Sequence, residues 1–404
     1  MHPAVPIAAA NPGAAATPGT PNDEEALYWL ALRMTPGLGT RKAGQLLGVL
    51  RTPQSIFRAS RSELEAAGLS PSLAQSMVSG CAFDDAADQQ QKAREAGAVL
   101  VPVTSAAYPP ALRQIFDPPP VLFARGRLDL LGTLMLGVVG TRRPTPYGIA
   151  AATRLATDLA GAGLTIASGM ARGVDTSAHQ GALEAGAGTV AVFGSGVDQI
   201  YPAENRKLAE RIASQGLIIS EFPMAFPPYP QNFPIRNRII SGMSVGVLVV
   251  EGSEYSGSAI TAKLAAEQGR EVFAVPGNIT SKMSWGPNLL IKQGAKLVQE
   301  WNDVVTELKP EDRRRLTDQC RKRLKIEGDN SVETIGGGPA SLMSRVSLGI
   351  LGLLRPDAAT GLDHIVESVE SASSSEVIAA LFELELAGLV RQLPGKSYIR
   401  VWVD

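Results

Sequence analysis

Two arginines lie close to an aromatic residue and an asparagine in segment 233–242, which reads Phe-Pro-Ile-Arg-Asn-Arg-Ile-Ile-Ser-Gly. The guanidinium groups of Arg236 and Arg238 can form forked, charge-assisted contacts to phosphate. An apolar run at 245–250 follows, and then a loop of small residues, 251–259, that opens onto a helical pattern. Backbone N–H groups at such a helix start favour anions. The stretch therefore suggests a phosphate site; the alternative is an ordinary strand-to-helix turn whose arginines pair with carboxylates.

The elements that would position these residues alternate between strand and helix. Short runs rich in Val, Ile and Leu predict strands at 134–139, 164–168, 189–193, 217–220, 245–250 and 271–275. Helical patterns lie between most of them, at 147–162, 175–185 and 203–215. This alternation predicts an α/β fold, a doubly wound, mainly parallel sheet, whose ligands bind beyond the carboxyl ends of the strands.

Loops rich in glycine or bearing arginine follow most of these strands. They lie at 140–144, 168–175, 194–196, 220–223, 251–258 and 276–278. Because parallel strands end at the same edge of a sheet, we expect these loops to form one common crevice.

Several kinds of chemistry are disfavoured. Gly140 is followed by Thr-Arg-Arg rather than by GxGxxG spacing, and the chain has no GxxxxGK[ST] loop, which argues against ordinary nicotinamide or ATP chemistry. No pair among Asp175, Glu221 and Glu251 has a spacing that compels general acid–base catalysis, so we expect these acids to orient arginines. His179 lies beside an apolar helix face and is predicted to be structural. We expect no catalytic residue and no cofactor.

Composition adds further limits. The 404 residues leave room for two or three domains, and a net charge of −1 gives no global basicity. Cys81 and Cys320 lack CxxC spacing and the three histidines are scattered, so we expect a reducing compartment and no metal site. No apolar run reaches about 20 residues and no signal peptide is evident, so the expected location is the cytoplasm, with no membrane contact.

Two segments flank the predicted sheet on its N-terminal side. Residues 1–22 are expected to be a disordered arm, and 23–104 a helical module of helix-hairpin-helix (SAM-like) type. Glycines 37 and 39 make a tight turn before a helix that starts near Thr40, with a weaker copy at 64–78. Such hairpins can present backbone N–H groups, here with Arg41 and Lys42 nearby, to a DNA phosphate. The alternative is a packing module that binds nothing.

The C-terminal part follows the predicted sheet domain, 108–305. Residues 306–344 are predicted to be a basic and Gly-rich linker, and 345–404 a winged-helix domain of three helices and a hairpin. The third helix carries Glu383 and Glu385 but no basic residue between 376 and 386. An acidic helix repels phosphate, so we favour a protein-interaction or packing role for it.

Five motifs in order resemble the DNA-processing protein A family, also called DprA or Smf. They lie at 138–148, 168–175, 233–238, 256–262 and 272–277. The resemblance is strong over residues 108–305 and extends to the flanking domains in order and type. It implies an extended Rossmann-like fold and a non-enzymatic, homodimeric mediator that binds single-stranded DNA, and duplex DNA more weakly. It also implies protection of the strand and loading of the RecA recombinase onto it, in natural transformation and recombinational repair.

The resemblance also implies site residues. Arg142 matches the arginine of the first loop, Phe233 the aromatic that stacks on a base, and Arg236 and Arg238 the Arg-Asn-Arg positions. Some family members carry a lysine where this chain has Pro230, so that contact would come from Arg143 or Arg172, or be absent. The predicted DNA-binding residues are Arg142, Arg143, Arg172, Phe233, Arg236, Asn237, Arg238, Ser256, Gly257 and Ser258.

The residues themselves agree with single-strand binding, which needs a positive groove and aromatic faces. The loop arginines supply the charge. The faces would come from Phe222, Phe226, Tyr229, Phe233 and Tyr255. Two alternatives remain open. A nucleotide-processing enzyme of phosphoribohydrolase type explains the Gly/Ser loop but poorly explains the flanking domains. A scaffolding dimer gives the loop arginines no function.

Overall fold

The computed structural model describes residues 20–254, 256–323, 345–355, 358–369, 372–386, 389–393 and 395–401. They divide into two compact units, the first ending at Gln299 and the second beginning at Glu300. Most of the predicted arm, the Gly-rich part of the predicted linker and Tyr255 lie outside the described residues.

The first unit contains a group of helices followed by an α/β sheet. Its helices are α1 (Asp23–Met34), α2 (Thr40–Leu50), α3 (Pro53–Arg58), α4 (Arg61–Ala66), α5 (Pro71–Val78), α6 (Phe83–Glu95), α7 (Pro110–Arg113), α8 (Pro146–Gly161), α9 (Val174–Glu184), α10 (Arg206–Gln215), α11 (Asn232–Met243), α12 (Gly257–Glu267) and α13 (Trp285–Lys292). Its strands are β1 (Val99–Pro102), β2 (Val121–Gly126), β3 (Met135–Gly140), β4 (Thr165–Ser168), β5 (Thr189–Val192), β6 (Leu217–Ser220), β7 (Gly246–Val250), β8 (Glu271–Ala274) and β9 (Lys296–Leu297). Short 3-10 helices lie at Leu128–Gly132 and Ala203–Asn205.

Both predicted helical hairpins are present. Gly37, between α1 and α2, has a φ of +79°, and Gly68, between α4 and α5, has a φ of +98°. Only glycine adopts this conformation at little cost. The start of α1 is fixed by a capping box, in which the Asn22 side chain accepts from the Glu25 N–H and the Glu25 carboxylate accepts from the Asn22 N–H.

Within the described residues, nine strands form one sheet in the order β1-β2-β6-β5-β4-β3-β7-β8-β9. The strands from β6 to β9 in this order pair in parallel, whereas β1 and β2 are added antiparallel at the β6 edge. The chain builds outward from β3 in one direction and then from β7 in the other. Helices α8 and α12, which follow these two neighbouring strands, therefore diverge and leave a crevice beyond the carboxyl ends. The predicted mainly parallel sheet is confirmed.

The antiparallel edge was not predicted. The first four residues of β2 are buried, and β2 pairs with β1 from Val99 opposite Ala124 to Pro102 opposite Val121. The strand that the sequence grouped with the helical module therefore lies in the sheet. No strand was predicted for this short apolar run, which follows three consecutive prolines, although its length was that of a buried strand.

Apolar clusters cover both faces of the sheet. Strand β5 shows the alternation, since Val190 and Val192 belong to one cluster and Ala191 belongs to the other. The second cluster also contains Leu30 of α1 and Ala86 of α6. The helical module is thus packed on the sheet by apolar contact.

The second unit begins with two helices and continues as a winged helix. Its helices are α14 (Trp301–Val305), α15 (Pro310–Arg323), α16 (Arg345–Leu353), α17 (Leu362–Ser368) and α18 (Ser374–Leu386). The strands β10 (Thr360–Gly361), β11 (Val390–Leu393) and β12 (Ser397–Arg400) form an antiparallel sheet around β12. The predicted winged-helix order is confirmed.

Helix α15 lies inside the segment that the sequence predicted to be a linker. Pro310 opens it, Glu311 and Asp312 lie in its first turn, and most of the following residues are good helix formers. The charged residues of this segment therefore indicated a helix as well as a basic linker.

The described residues lack two kinds of feature. In that part of the chain, no helix has the length and apolar character needed to cross a membrane. The same residues contain no group of His, Cys, Asp or Glu arranged to hold a metal ion. Cys81 is exposed and free.

Candidate nucleic-acid interface

A cavity of about 490 Å³ occupies the crevice between the carboxyl ends of β3 and β7. We call it the crevice cavity. Its walls are the loops after these two strands, the first two turns of α11 and the loop after β4. Eight of the ten predicted DNA-binding residues line it: Arg142, Arg143, Phe233, Arg236, Asn237, Ser256, Gly257 and Ser258.

Arg142 and Phe233 form a cation–aromatic pair in the cavity lining. The guanidinium carbon of Arg142 lies 5.5 Å from the centroid of the Phe233 ring. The other ring neighbour of Phe233 is Tyr201, with centroids 5.6 Å apart. Gly194, after β5, lies so close to the ring that a Cβ there would come within 2.9 Å of it. Tyr201 was not selected from the sequence, because its only local signal was an exposed aromatic in a loop.

Arg236 is a buried cation in the same lining, with only 3% of its surface exposed. Its Nη1 donates to the carbonyl of Val192, at the end of β5, across 2.5 Å. Burial lowers the pKa of Arg236 to about 10, and the Asp175 carboxylate offsets part of this effect. Among the described residues, its Nε has no hydrogen-bond partner. At neutral pH the group therefore remains a cation that protein groups compensate only in part.

Asp175 holds the loop after β4. Its Oδ2 accepts from the N–H groups of Gly169 at 3.1 Å and Ala171 at 3.2 Å. Burial raises the pKa of this carboxyl group, while Arg236 and the two N–H groups lower it. The acid was expected to orient an arginine, but its hydrogen bonds hold the loop backbone, and it acts on Arg236 through its charge.

The start of α12 forms the wall opposite Arg142. Ser256 caps the helix by accepting from the Ala259 N–H at 3.3 Å, and the hydroxyls of Ser256 and Ser258 lie 2.8 Å apart. Asn237 donates from Nδ2 to the Gly257 carbonyl at 3.4 Å, which connects α11 to this loop. A helix start of this kind presents N–H groups and the positive end of a dipole to an anion.

Glu251 connects the loops after β3 and β7. Its carboxylate accepts from the N–H of Thr145 at 2.8 Å and from the Thr145 hydroxyl at 2.5 Å. Thr145 is the N-cap of α8 and closes the loop that carries Arg142 and Arg143. A side chain at Gly148 would overlap the Glu251 carboxylate, so glycine is required there. Glu251 thus positions the arginine loop.

The two remaining arginines of the predicted set lie elsewhere. Arg172 is exposed and pairs with Glu204 through contacts of 2.5 and 2.8 Å. Arg238 is 7% exposed and pairs with Glu221 at 2.6 Å and Asp117 at 3.2 Å. Residues two apart on a helix do not share a face, which explains why Arg238 does not line the crevice cavity with Arg236.

Comparisons with known proteins agree with this architecture. The family model described as DNA recombination-mediator protein A matches residues 99–309, just over half of the chain. A model of the DprA winged helix domain matches residues 344–396. The chain belongs to the DNA recombination-mediator protein A family.

Individual relatives of this DprA family extend the similarity. The chain is 45% identical over 216 residues to DNA processing protein DprA of Bacillus subtilis (strain 168), covering 53% of this chain and 73% of that protein. It is 40% identical over 303 residues to Protein Smf of Escherichia coli (strain K12), covering 75% of this chain and 77% of that protein. The X-ray structure of DNA processing protein A from Streptococcus pneumoniae superposes with a TM-score of 0.64 at 33% identity, covering 70% of this chain and 98% of that one. The protein is therefore a DNA-processing recombination mediator.

The position where some DprA proteins carry a lysine is occupied by Pro230, which lines the crevice cavity. Arg143 lines the same cavity, whereas Arg172 does not, so Arg143 is the better placed of the two suggested substitutes. Three of the other predicted aromatic faces form a separate group. Phe222 stacks on Phe226 with centroids 5.3 Å apart, and Tyr229 meets Phe226 edge-on at 5.8 Å.

His179 has the structural role predicted for it. It is fully buried, and its Nδ1 lies 2.8 Å from the Thr189 hydroxyl, which itself donates to the Ile166 carbonyl. The hydroxyl can therefore only accept from the ring, so Nδ1 carries the proton. Burial lowers the pKa of His179 to about 3, with a smaller contribution from Arg236.

Proposed function

We propose that the protein binds single-stranded DNA in the crevice cavity, protects the strand and loads the RecA recombinase onto it. The Arg142–Phe233 pair carries this proposal, because it places a phosphate-binding cation beside an aromatic ring. A single strand exposes both its phosphates and the faces of its bases, and each stacked base contributes about 1–3 kcal/mol. This activity would serve natural transformation and recombinational repair.

The proposed path of the backbone follows the positive groups. Arg143 would contact phosphate at the exposed rim, and the N-terminus of α12 would receive a phosphate deeper in the cavity. Arg236 contributes a buried positive charge behind that point. Duplex DNA would bind more weakly, since its stacked bases cannot reach the Phe233 ring. We expect the protein to act as a homodimer.

Three buried acids near the carboxyl ends of the strands support a non-enzymatic role. Both carboxylate oxygens of Glu251 accept from Thr145, Asp175 accepts from two backbone N–H groups, and Glu221 pairs with Arg238. A general acid or base must reach the proton that it transfers. These contacts fit positioning residues better than the catalytic acid of a nucleotide-processing enzyme.

Fluorescence-anisotropy titration of single-stranded and duplex oligonucleotides tests the proposal, with the wild type and Arg142→Ala at two salt concentrations. We expect tight, single-strand-preferring binding that weakens steeply with salt, because phosphate contacts release counterions. Arg142→Ala should lose about tenfold or more in affinity. Binding that depends neither on the salt concentration nor on Arg142 would refute the proposal and favour the nucleotide-processing enzyme.

A further inference from the structure

A second, smaller cavity lies on another side of helix α11. It has a volume of about 220 Å³, and we call it the hairpin cleft. Its lining combines the α1–α2 hairpin (Arg33, Gly39, Thr40) with Glu221, Ile235 and Arg238. Pro234 lines the crevice cavity and the next residue, Ile235, lines the hairpin cleft. The two cavities are therefore separated by one helix, about 10 Å wide, which a few nucleotides of single strand can cross.

The hairpin cleft contains the start of α2. Gly39, the N-cap of this helix, makes no side-chain capping bond, and the first turn carries Arg41 and Lys42 but no acid. Cations at a helix N-terminus oppose the helix dipole, and the first N–H groups of a helix lack intrahelical partners. Helix α1 by contrast begins with a capping box and three acids. An anion at the start of α2 would offset the two cations and accept hydrogen bonds from the first N–H groups.

Buried polar groups in the same lining give an independent indication of a polar ligand. Arg238 is 7% exposed and Glu221 is 3% exposed. Within the part of the chain that the structure describes, the Nη1 of Arg238 and the Oε1 of Glu221 have no hydrogen-bond partner. An unsatisfied donor and an unsatisfied acceptor in one cleft suit a ligand that carries both kinds of group, as the edge of a nucleobase does.

Residues next to the lining repeat the arrangement of the crevice cavity, since Phe116 precedes Asp117 and Arg41 follows Thr40. Phe116 is 78% exposed, and the guanidinium carbon of Arg41 lies 4.9 Å from its ring centroid. Asp117 and Glu221 are balanced by Arg238, which pairs with both, and by Arg33, which also lines the cleft and donates to the Glu221 carbonyl. Arg41 and Lys42 therefore add positive charge to the hairpin. A cation beside an exposed aromatic ring again offers a contact for phosphate and a face for a base.

We propose that the hairpin cleft is a second contact site for the same DNA strand, holding a nucleotide beyond the segment that lies in the crevice cavity. This inference rests on the proposed function. It assigns the helical module a direct role in single-strand binding and makes the length of the bound strand depend on both cavities.

Strand length separates the two sites experimentally. Anisotropy titrations of the full chain would use oligothymidylates of about 6 and about 25 nucleotides, lengths that span the usual size of single-strand sites. Phe116→Ala and the double variant Arg41→Ala/Lys42→Ala should bind the long strand about tenfold more weakly than wild type and the short strand equally well. The double variant should also flatten the salt dependence by about 0.7 in log–log slope for each lost phosphate contact.

Three controls sharpen the test. Arg61→Ala removes an exposed arginine of the same module that pairs with Glu65, and it should behave as wild type at both lengths. Phe116→Leu retains an apolar side chain without a ring and should weaken long-strand binding, whereas Phe116→Trp should preserve it. This difference distinguishes base stacking from packing.

The failures of the two proposals are distinguishable. If Arg142→Ala weakens binding while the cleft variants bind both lengths as wild type does, the second site is refuted and the hairpin becomes a candidate protein contact. Equal losses at both lengths would also refute it, because they indicate a general effect. Absence of single-strand binding by the wild type would refute the proposed function and this inference together.

Discussion

The Glu251 carboxylate receives two hydrogen bonds from Thr145, one from the backbone N–H at 2.8 Å and one from the hydroxyl at 2.5 Å. Thr145 ends the loop after β3 and Glu251 begins the loop after the neighbouring parallel strand β7. The Thr145 hydroxyl also accepts from the Gly148 N–H at 3.3 Å, so the same group caps α8. At the other end of the arginine loop, the Thr141 N–H donates to the Glu251 carbonyl at 3.0 Å, so the loop is held at both ends in the absence of DNA.

Replacing Glu251 by Gln tests this connection. An amide can supply only one acceptor oxygen, so its NH2 group would face one of the two Thr145 donors. We expect a loss of about 1–3 kcal/mol in the free energy of unfolding and weaker single-strand binding, measured by urea denaturation and anisotropy. Glu254→Gln removes the same charge from the same loop but keeps the Thr145 contact, and should retain wild-type stability. Equal stability of the two variants would contradict the positioning role.

Gly169→Ala tests whether the position of the buried Arg236 guanidinium matters for stability and binding. A Cβ at this position would overlap the Arg236 guanidinium, which would have to move and release the Val192 carbonyl. We expect a loss of about 1–3 kcal/mol in unfolding free energy and a clear loss of single-strand affinity. Gly48→Ala is the matched control, because a Cβ there has no atom within 4 Å. That change in an exposed helix should be neutral or stabilise by up to about 1 kcal/mol.

The buried His179 should make the free energy of unfolding sensitive to acid. Its pKa falls from the ordinary value of 6.5 to about 3 in the folded chain. Between these values the unfolded chain binds a proton that the folded chain does not, so this contribution to stability is present above pH 6.5 and is lost as the pH falls toward 3. From pH 7 to pH 5, wild type should lose about 2 kcal/mol more unfolding free energy than His179→Gln. Parallel losses in the two proteins would exclude a buried neutral imidazole.

Pro230→Lys is expected to strengthen single-strand binding. The residue is exposed and lines the crevice cavity, so a lysine there would add a phosphate contact. The log–log salt dependence should become steeper by about 0.7, and affinity should rise most at low salt. Ser214→Lys adds the same charge near the end of α10, a helix that leads into the amino end of β6 and therefore ends at the opposite edge of the sheet. A similar gain from both substitutions would indicate general charge attraction rather than a contact in the cavity.

Local patterns predicted the elements of the sheet well. The six predicted strands appear within one or two residues of their expected bounds. The loops after β3, β4 and β7 meet in the crevice cavity as expected, whereas the loop after β6 lines the hairpin cleft. This success has a physical reason: buried parallel strands give continuous apolar runs, and their carboxyl ends must share one edge. Strand β2 was missed, although its composition is similar, because it directly follows three consecutive prolines, which rarely lead into a strand in the interior of a sheet.

The identity of the site residues was harder to predict. Arg236 and Arg238 have the same type and lie two positions apart, yet one lines the crevice cavity and the other pairs with Glu221 and Asp117. Arg172 pairs with Glu204, 32 positions away in sequence. A sequence pattern shows which residues are charged but not which distant residues they pair with. Only the structure therefore distinguishes the arginines that line the cavity from those that pair with acids.

The edge strand β1 has a consequence for how the protein can be divided. It follows the helical module in sequence but pairs with β2 in the sheet, and its side chains Leu100 and Val101 enter the apolar clusters of the two opposite faces. A shortened chain beginning at residue 108 would leave the β2 backbone without its partner. Unpaired edges recruit strands from other molecules, so such a piece should aggregate, whereas one beginning before Val99 keeps its own edge closed. Strand β1 thus belongs to the sheet rather than to the helical module, and a shortened chain has to begin before Val99 to retain it.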